Sequence, residues 1–263
     1  MPDMDFQFML HSLASQAPLT GAVTADFLAN VASACTIQLN RDFARHWGGS
    51  YNVRTGVNIL PGEDDYSILD ALPDAGAVAE HADDSSGKPI LSLSLSMCSS
   101  LDDVSVGCSH EFGETGADPG CNRWADDNNG SLFAVEPFDP IEAGRYTISV
   151  PVGSNGVVNI AVSDFVLPAF FDPGSPGPYT FSETMGAAPL ITAPFQTGPG
   201  GYQIKRSSDG IIVQVNGMLS PHRIEKIKHA MGRARKRGFD YLKHKVVDMD
   251  GKERSLVIPS FGK

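Results

Sequence analysis

The chain has 263 residues, a formal net charge of −11, and 41% hydrophobic against 19% charged residues. That is enough apolar material for a substantial core, in one large domain or two small ones, and it excludes a disordered chain. No apolar run reaches the roughly eighteen residues of a membrane-spanning helix, and the Met1–Phe6 stretch lacks the basic-then-apolar order of a signal peptide.

The charge is uneven along the chain. Residues 1–221 hold 8 Lys and Arg against 26 Asp and Glu, whereas residues 222–263 hold 12 against 5. The C-terminal stretch is therefore a separate electrostatic object. Cys35, Cys98, Cys108 and Cys121 show no Cys-x-x-Cys spacing. They read as buried free thiols of a reducing compartment, with a Cys108–Cys121 bridge as the alternative.

Residues 1–22 carry few signals and read as an arm or a short helix. Thr24 then caps a helix in which Phe27, Val31, Cys35, Leu39 and Phe43 recur every four residues, with Gly48 and Gly49 closing it. Strands are expected at 51–60 and 66–72, and a weak polar one at 76–81 that suits a sheet edge. From Ile90 to Met97, Leu91, Leu93, Leu95 and Met97 alternate with serines, the pattern of a half-buried strand. A second helix follows, with Ser99 and Ser100 as caps, Asp102 and Asp103 in its first turn, and stop signals at Gly116 and Pro119. Further strands are expected at 132–135, 146–150 and 157–162. The apolar 164–171 stretch packs back on the core, 172–200 is a Pro- and Gly-rich loop, and 201–216 is a hairpin. Residues 221–245 are compatible with a basic helix. The fold class is α+β: a mixed sheet with a central motif helix, then a β-rich region, then a basic helical tail. The boundaries are an arm at 1–22, a main domain at 23–217 and a tail at 218–263.

The chemistry concentrates on the second helix. His110 and Glu114 stand four apart and share a face, with Glu111 one step round. His-Glu-x-x-Glu at this spacing supplies two ligands for zinc, which accepts imidazole nitrogen and carboxylate oxygen, and places Glu111 as general base. The third ligand must come from elsewhere, with Glu136 and Asp118 ranked equally and Asp139 behind them. Glu114 stands where such peptidases usually carry a second His. Gly113 and Gly116 weaken the helix by about 1 kcal/mol each relative to Ala.

Five blocks in order, Ile37–Gly48, Ser109–Pro119, Val135–Pro140, Val162–Pro173 and Pro199–Tyr202, resemble a family of bacteriophage and bacterial zincin-like metallopeptidases and phage virion-associated proteins. The resemblance covers about residues 27–216. It implies a zincin-like fold in which an edge strand beside the motif helix, here 76–81, lines a groove for a peptide substrate. It also implies a zinc cofactor, favours Glu136 and Asp139, and places the protein in a phage virion. Relatives carry apolar helix formers where this chain has Gly113 and Gly116.

Other residues read more plainly. His81 is a candidate for orienting a substrate. Trp47 and Trp124 read as packing residues. Tyr146 and Tyr202 are candidate oxyanion donors. Residues 126–130 lack the alternating acids of a calcium loop and read as a turn. The tail's Arg223, Lys226, Lys228, Arg233, Arg235, Lys236 and Arg237 have few interleaved aromatics, which argues against single-stranded nucleic acid. They suit an acidic protein surface: another phage structural protein or a copy of this chain. With the resemblance, three readings follow: a phage particle protein with a metal-capable, degenerate peptidase site; a purely structural particle component such as a decoration, head-fibre or connector protein; or an active zinc-dependent peptidase.

Overall fold

The computed structural model describes residues 4–72, 77–83 and 88–217, and the backbone of two strands at 240–247 and 253–260. The chain divides into two compact units. The first comprises residues 1–73, 77–121 and 145–163, and the second residues 74–76, 122–144 and 164–263. Among the described residues no helix is long and apolar enough to cross a membrane.

The first unit begins with strand β1, Asp5–Ser12. Helix α1, Ala25–Gln38, starts at Thr24, whose side chain accepts the N–H of Phe27. A π turn at Leu39–Phe43 and the short helix α2, Ala44–Trp47, continue it. Gly48 and Gly49, at φ +81 and +87, then turn the chain through the left-handed region that favours glycine. Strands β2 (Ser50–Thr55), β3 (Asp64–Leu69), β4 (Ala79–Asp83) and β5 (Pro89–Ser94) complete a five-stranded sheet in the order β2-β1-β3-β5-β4. β1 pairs in parallel with β2 and β3, and β3 pairs in parallel with β5. β4 runs antiparallel to β5 at the edge.

The placement of β1 corrects the reading of residues 1–22 as an arm. Phe6, Phe8 and Leu10 are buried, and so is Met9 on the opposite side of the strand. A strand covered on both sides reads as an apolar run without alternation, so its periodicity carries no signal. The same reasoning corrects the half-buried strand at 90–97. Ser92 and Ser94 are buried along with Leu91 and Leu93. The strand stops at Ser94, and a 3-10 turn, Leu95–Met97, leads out of it.

Helix α3, Leu101–Ala117, and α1 touch each other and both pack on the sheet. Phe112 of α3 lies against Phe8 at 4.8 Å and edge-on to Tyr66 at 4.7 Å. Burying an aromatic ring of this kind stabilises the fold by about 1.5–3 kcal/mol. A hairpin of β8 (Arg145–Val152) and β9 (Gly156–Ser163) packs on the two helices. Polar groups fix it there: Ser105 Oγ donates to Ala161 O at 2.7 Å, Gln38 Nε2 to Ser163 O at 2.7 Å, and Ser163 N to Ser109 Oγ at 2.8 Å. Such buried bonds cost free energy when broken, so they specify where the hairpin sits.

The second unit has a sheet in the order β13-β12-β11-β10-β7-β6. Its strands are β6 (Trp124–Asp126), β7 (Ser131–Ala134), β10 (Tyr202–Ser207), β11 (Ile212–Asn216), β12 (Asp240–Val247) and β13 (Glu253–Ser260). β10 and β11 form the expected hairpin. The 164–171 stretch is buried as expected: Val166 and Phe170 join Ile141, Tyr179 and Ile191 in one apolar cluster. The loop from 172 to 200 contains one short helix, α4, Phe181–Thr184. β12 shows that the last residues of the 221–245 span are strand. Residues 221–239, with the seven basic residues singled out there, lie outside the described residues.

Candidate metal centre

The route from β5 to α3 is fixed locally. Ser100 Oγ accepts the N–H of Asp103, and Asp103 Oδ2 accepts the N–H groups of Ser99 and Ser100, a reciprocal cap that starts the helix after the turn. α3 then runs unbroken past Gly113 and Gly116 to Ala117, further than the stop signal at Gly116 implies. Two glycines serve close packing. A Cβ at Gly116 would meet the Tyr51 ring at 2.8 Å and its hydroxyl at 2.7 Å. A Cβ at Gly107 would meet Leu93 at 2.7 Å and lie near Ala79. Gly107, Glu111 and Glu114 fall at helical spacing on one side of α3, so the close approach that Gly107 permits carries both carboxylates toward the β4–β5 edge.

β4 supplies the third group. Its expected place at the sheet edge beside the motif helix is what the structure shows, at Ala79–Asp83. Strand alternation turns His81 to the same side as Ala79, the side that meets α3. His81 Nδ1 lies 3.2 Å from Glu111 Oε2 and 3.5 Å from Glu114 Oε2. One donor atom from each of these three residues falls within 4.8 Å of the others, so they are positioned to hold a metal ion. The spacings fit: zinc holds nitrogen and oxygen at about 2.0–2.2 Å, and two such ligands of a tetrahedral ion stand about 3.4 Å apart. His110 Nε2 lies 3.2 Å from the other oxygen of Glu114, Oε1, a spacing that likewise suits two ligands of one ion.

The site is nearly dry. The His81 side chain is 7% exposed, and Glu111 and Glu114 are each 3% exposed. Burial pushes the Glu111 carboxyl above its ordinary pKa, although His81 and His110 oppose that rise. Burial acts on Glu114 in the same sense, but the charges and hydrogen bonds of His110 and His81 outweigh it and hold that carboxyl well below the usual range. Two carboxylates this close separate in this way when they share too little positive charge. A divalent cation held there would supply the missing charge.

Asp118 is buried at the C-terminal cap of α3, where its N–H bonds Glu114 O at 2.7 Å, and it is not among the donors gathered with His81. Glu136 is half-buried after β7, and Asp139 opens a buried 3-10 turn, Asp139–Ile141; both belong to the second unit. Tyr146 donates its hydroxyl to Asp42 at 2.9 Å, a structural bond. Tyr202 stands in β10. Trp47 is buried against Phe43, and Trp124 is half-buried in β6. Residues 126–131 form turns in which the Asp126 and Asp127 side chains accept the N–H groups of Asn128, Asn129 and Ser131. All four cysteines are free, with Cys108 buried and Cys121 exposed, so the Cys108–Cys121 bridge is not formed. The approach of His81 to Glu111 and Glu114 is what sequence reasoning did not anticipate. Its signal was the alternation of a short edge strand, which names a face but not the neighbour across it. No family model, no curated protein and no solved structure matches this chain.

Proposed function

We propose that the protein is a metal-dependent hydrolase, with zinc held by His81, Glu111 and Glu114 and a peptide as substrate. The observation that carries this reading is the meeting of three nearly dry donors, within 4.8 Å of one another, where α3 passes under an antiparallel edge strand. The zincin-like resemblance of the sequence blocks supports the substrate class, and it alone supports a place in a phage particle.

Three protein ligands with an open position are the arrangement of catalytic zinc. When bound, zinc supplies Lewis acidity and an activated water at neutral pH, so no separate base is required of the chain. Glu111 and Glu114 would offset the charge of a dication in a dry site, with His81 presented by the sheet edge and both carboxylates by α3. Glu111 in this reading is a ligand, where the motif alone assigns it as base.

The test is hydrolysis of a quenched-fluorescence peptide library by the purified protein. Cleavage that a chelator abolishes and stoichiometric zinc restores supports the reading. Cleavage that survives complete metal removal contradicts it.

A further inference from the structure

The two oxygens of Glu114 face different histidines. Oε2 lies 3.5 Å from His81 Nδ1, and Oε1 lies 3.2 Å from His110 Nε2. Helix geometry explains the split. At about 100° per residue, His110 stands about 40° to one side of Glu114 and Glu111 about 60° to the other. His81 meets the Glu111 side. The donors that gather within 4.8 Å there are those of His81, Glu111 and Glu114, and His110 is not in that set. Ligands about 2.0–2.2 Å from one zinc ion stand at most about 4.4 Å apart, so a single ion does not take all four residues. Glu114 is 3% exposed, and no hydrogen bond of ordinary geometry reaches its Oε1. His110 Nε2 faces that oxygen at the spacing of two ligands of one ion. A buried oxygen so placed calls for an ion or a water.

We infer that Glu114 is a bridging ligand, with Oε2 on the zinc of the His81 side and Oε1 on a second divalent cation that His110 Nε2 also holds. The inference rests on the reading of His81, Glu111 and Glu114 as the metal centre and extends it to a two-ion site. Imidazole nitrogen with carboxylate oxygen suits zinc or another first-row divalent ion. Ion pairs recur in hydrolases, aminopeptidases among them. α3 gives the second ion two ligands where the first has three, so the second is the weaker and leaves on exhaustive dialysis.

Equilibrium dialysis of the full chain against buffered free zinc, with bound zinc read by elemental mass spectrometry, tests this. The wild type is expected to bind one zinc per chain at low free zinc and a second as free zinc rises. His110→Ala and His110→Gln are expected to keep the first zinc and lose the second, since neither replacement is a customary zinc ligand. Far-UV circular dichroism shows whether each variant is folded, and His110→Asn replaces any that is not. One zinc at every free concentration in the wild type overturns the inference and leaves the metal centre standing. A second zinc that persists in a folded His110 variant overturns it too, since that ion then sits elsewhere on the chain. Loss of both zincs from a folded His110 variant overturns it in favour of His110 as a ligand of the first ion. A wild-type chain that binds no zinc overturns the inference and the metal-centre reading together.

Discussion

Glu111 is where the motif and the three-dimensional site differ most. The motif makes it a base, but its Oε2 lies 3.2 Å from His81 in a group that can surround an ion. Glu111→Gln should therefore weaken zinc binding as well as activity. A variant that keeps full zinc affinity and loses only turnover would return Glu111 to the role of base. The place of His81 on an edge strand was legible and its neighbours were not, because thirty positions of chain separate it from Glu111. Asp70 shows a similar long-range role. Its Oδ1 accepts the N–H groups of Ser15, Gln16 and Ala17 at 2.9, 2.8 and 2.7 Å. These bonds, with that from Gln16 foremost, lower its pKa below the ordinary Asp value. A depressed folded-state pKa gives stability that is present above the unfolded value of about 3.9 and is lost as the pH falls through the folded one. Protection of these three amides from exchange, corrected for intrinsic rates, should hold at pH 6 and vanish in that acid window. In Asp70→Ala it should be absent throughout, and equal protection in that variant would show that the latch is elsewhere.

Helix α3 was legible in its start, because capping serines and acidic first-turn residues act locally. Its end was not. Gly116 reads as a stop only while Tyr51 is out of view. With the ring 2.8 Å from where a Cβ would sit, the glycine is a packing feature inside the helix. Gly116→Ala should gain about 1 kcal/mol of helix propensity and lose about 1–3 kcal/mol to overpacking against a buried ring. A net destabilisation of about 1 kcal/mol in the urea midpoint is expected, and Tyr51→Leu in the same chain should relieve part of it. A more stable Gly116→Ala protein would mean that the ring moves aside freely. Strands β3, β4, β5, β8 and β9 and the β10–β11 hairpin were placed to within a few residues, since turn residues bound them. β1 was missed because burial on both sides removes the alternation on which strand recognition depends.

At the scale of the whole molecule, the first unit is organised around that missed strand. β1 bonds both β2 and β3, and Phe8 carries the contact to α3. Deleting residues 1–12 leaves two parallel strands without their shared partner. It should abolish cooperative unfolding of the unit and with it the alignment of α3 under β4; a truncated chain with an unchanged urea transition would contradict this. The α+β class followed from one helix, several strands and a central helix. The meeting of β4 with α3 did not follow, because strand order is a property of pairing across the sheet. The central claim is that one metal ion sits where these elements meet. Elemental mass spectrometry of the purified protein, after zinc loading and exhaustive dialysis, tests it most directly. The account predicts about one zinc per wild-type chain and none in a folded His81→Ala chain. No zinc in the wild type, or an equal load in the two proteins, would contradict it.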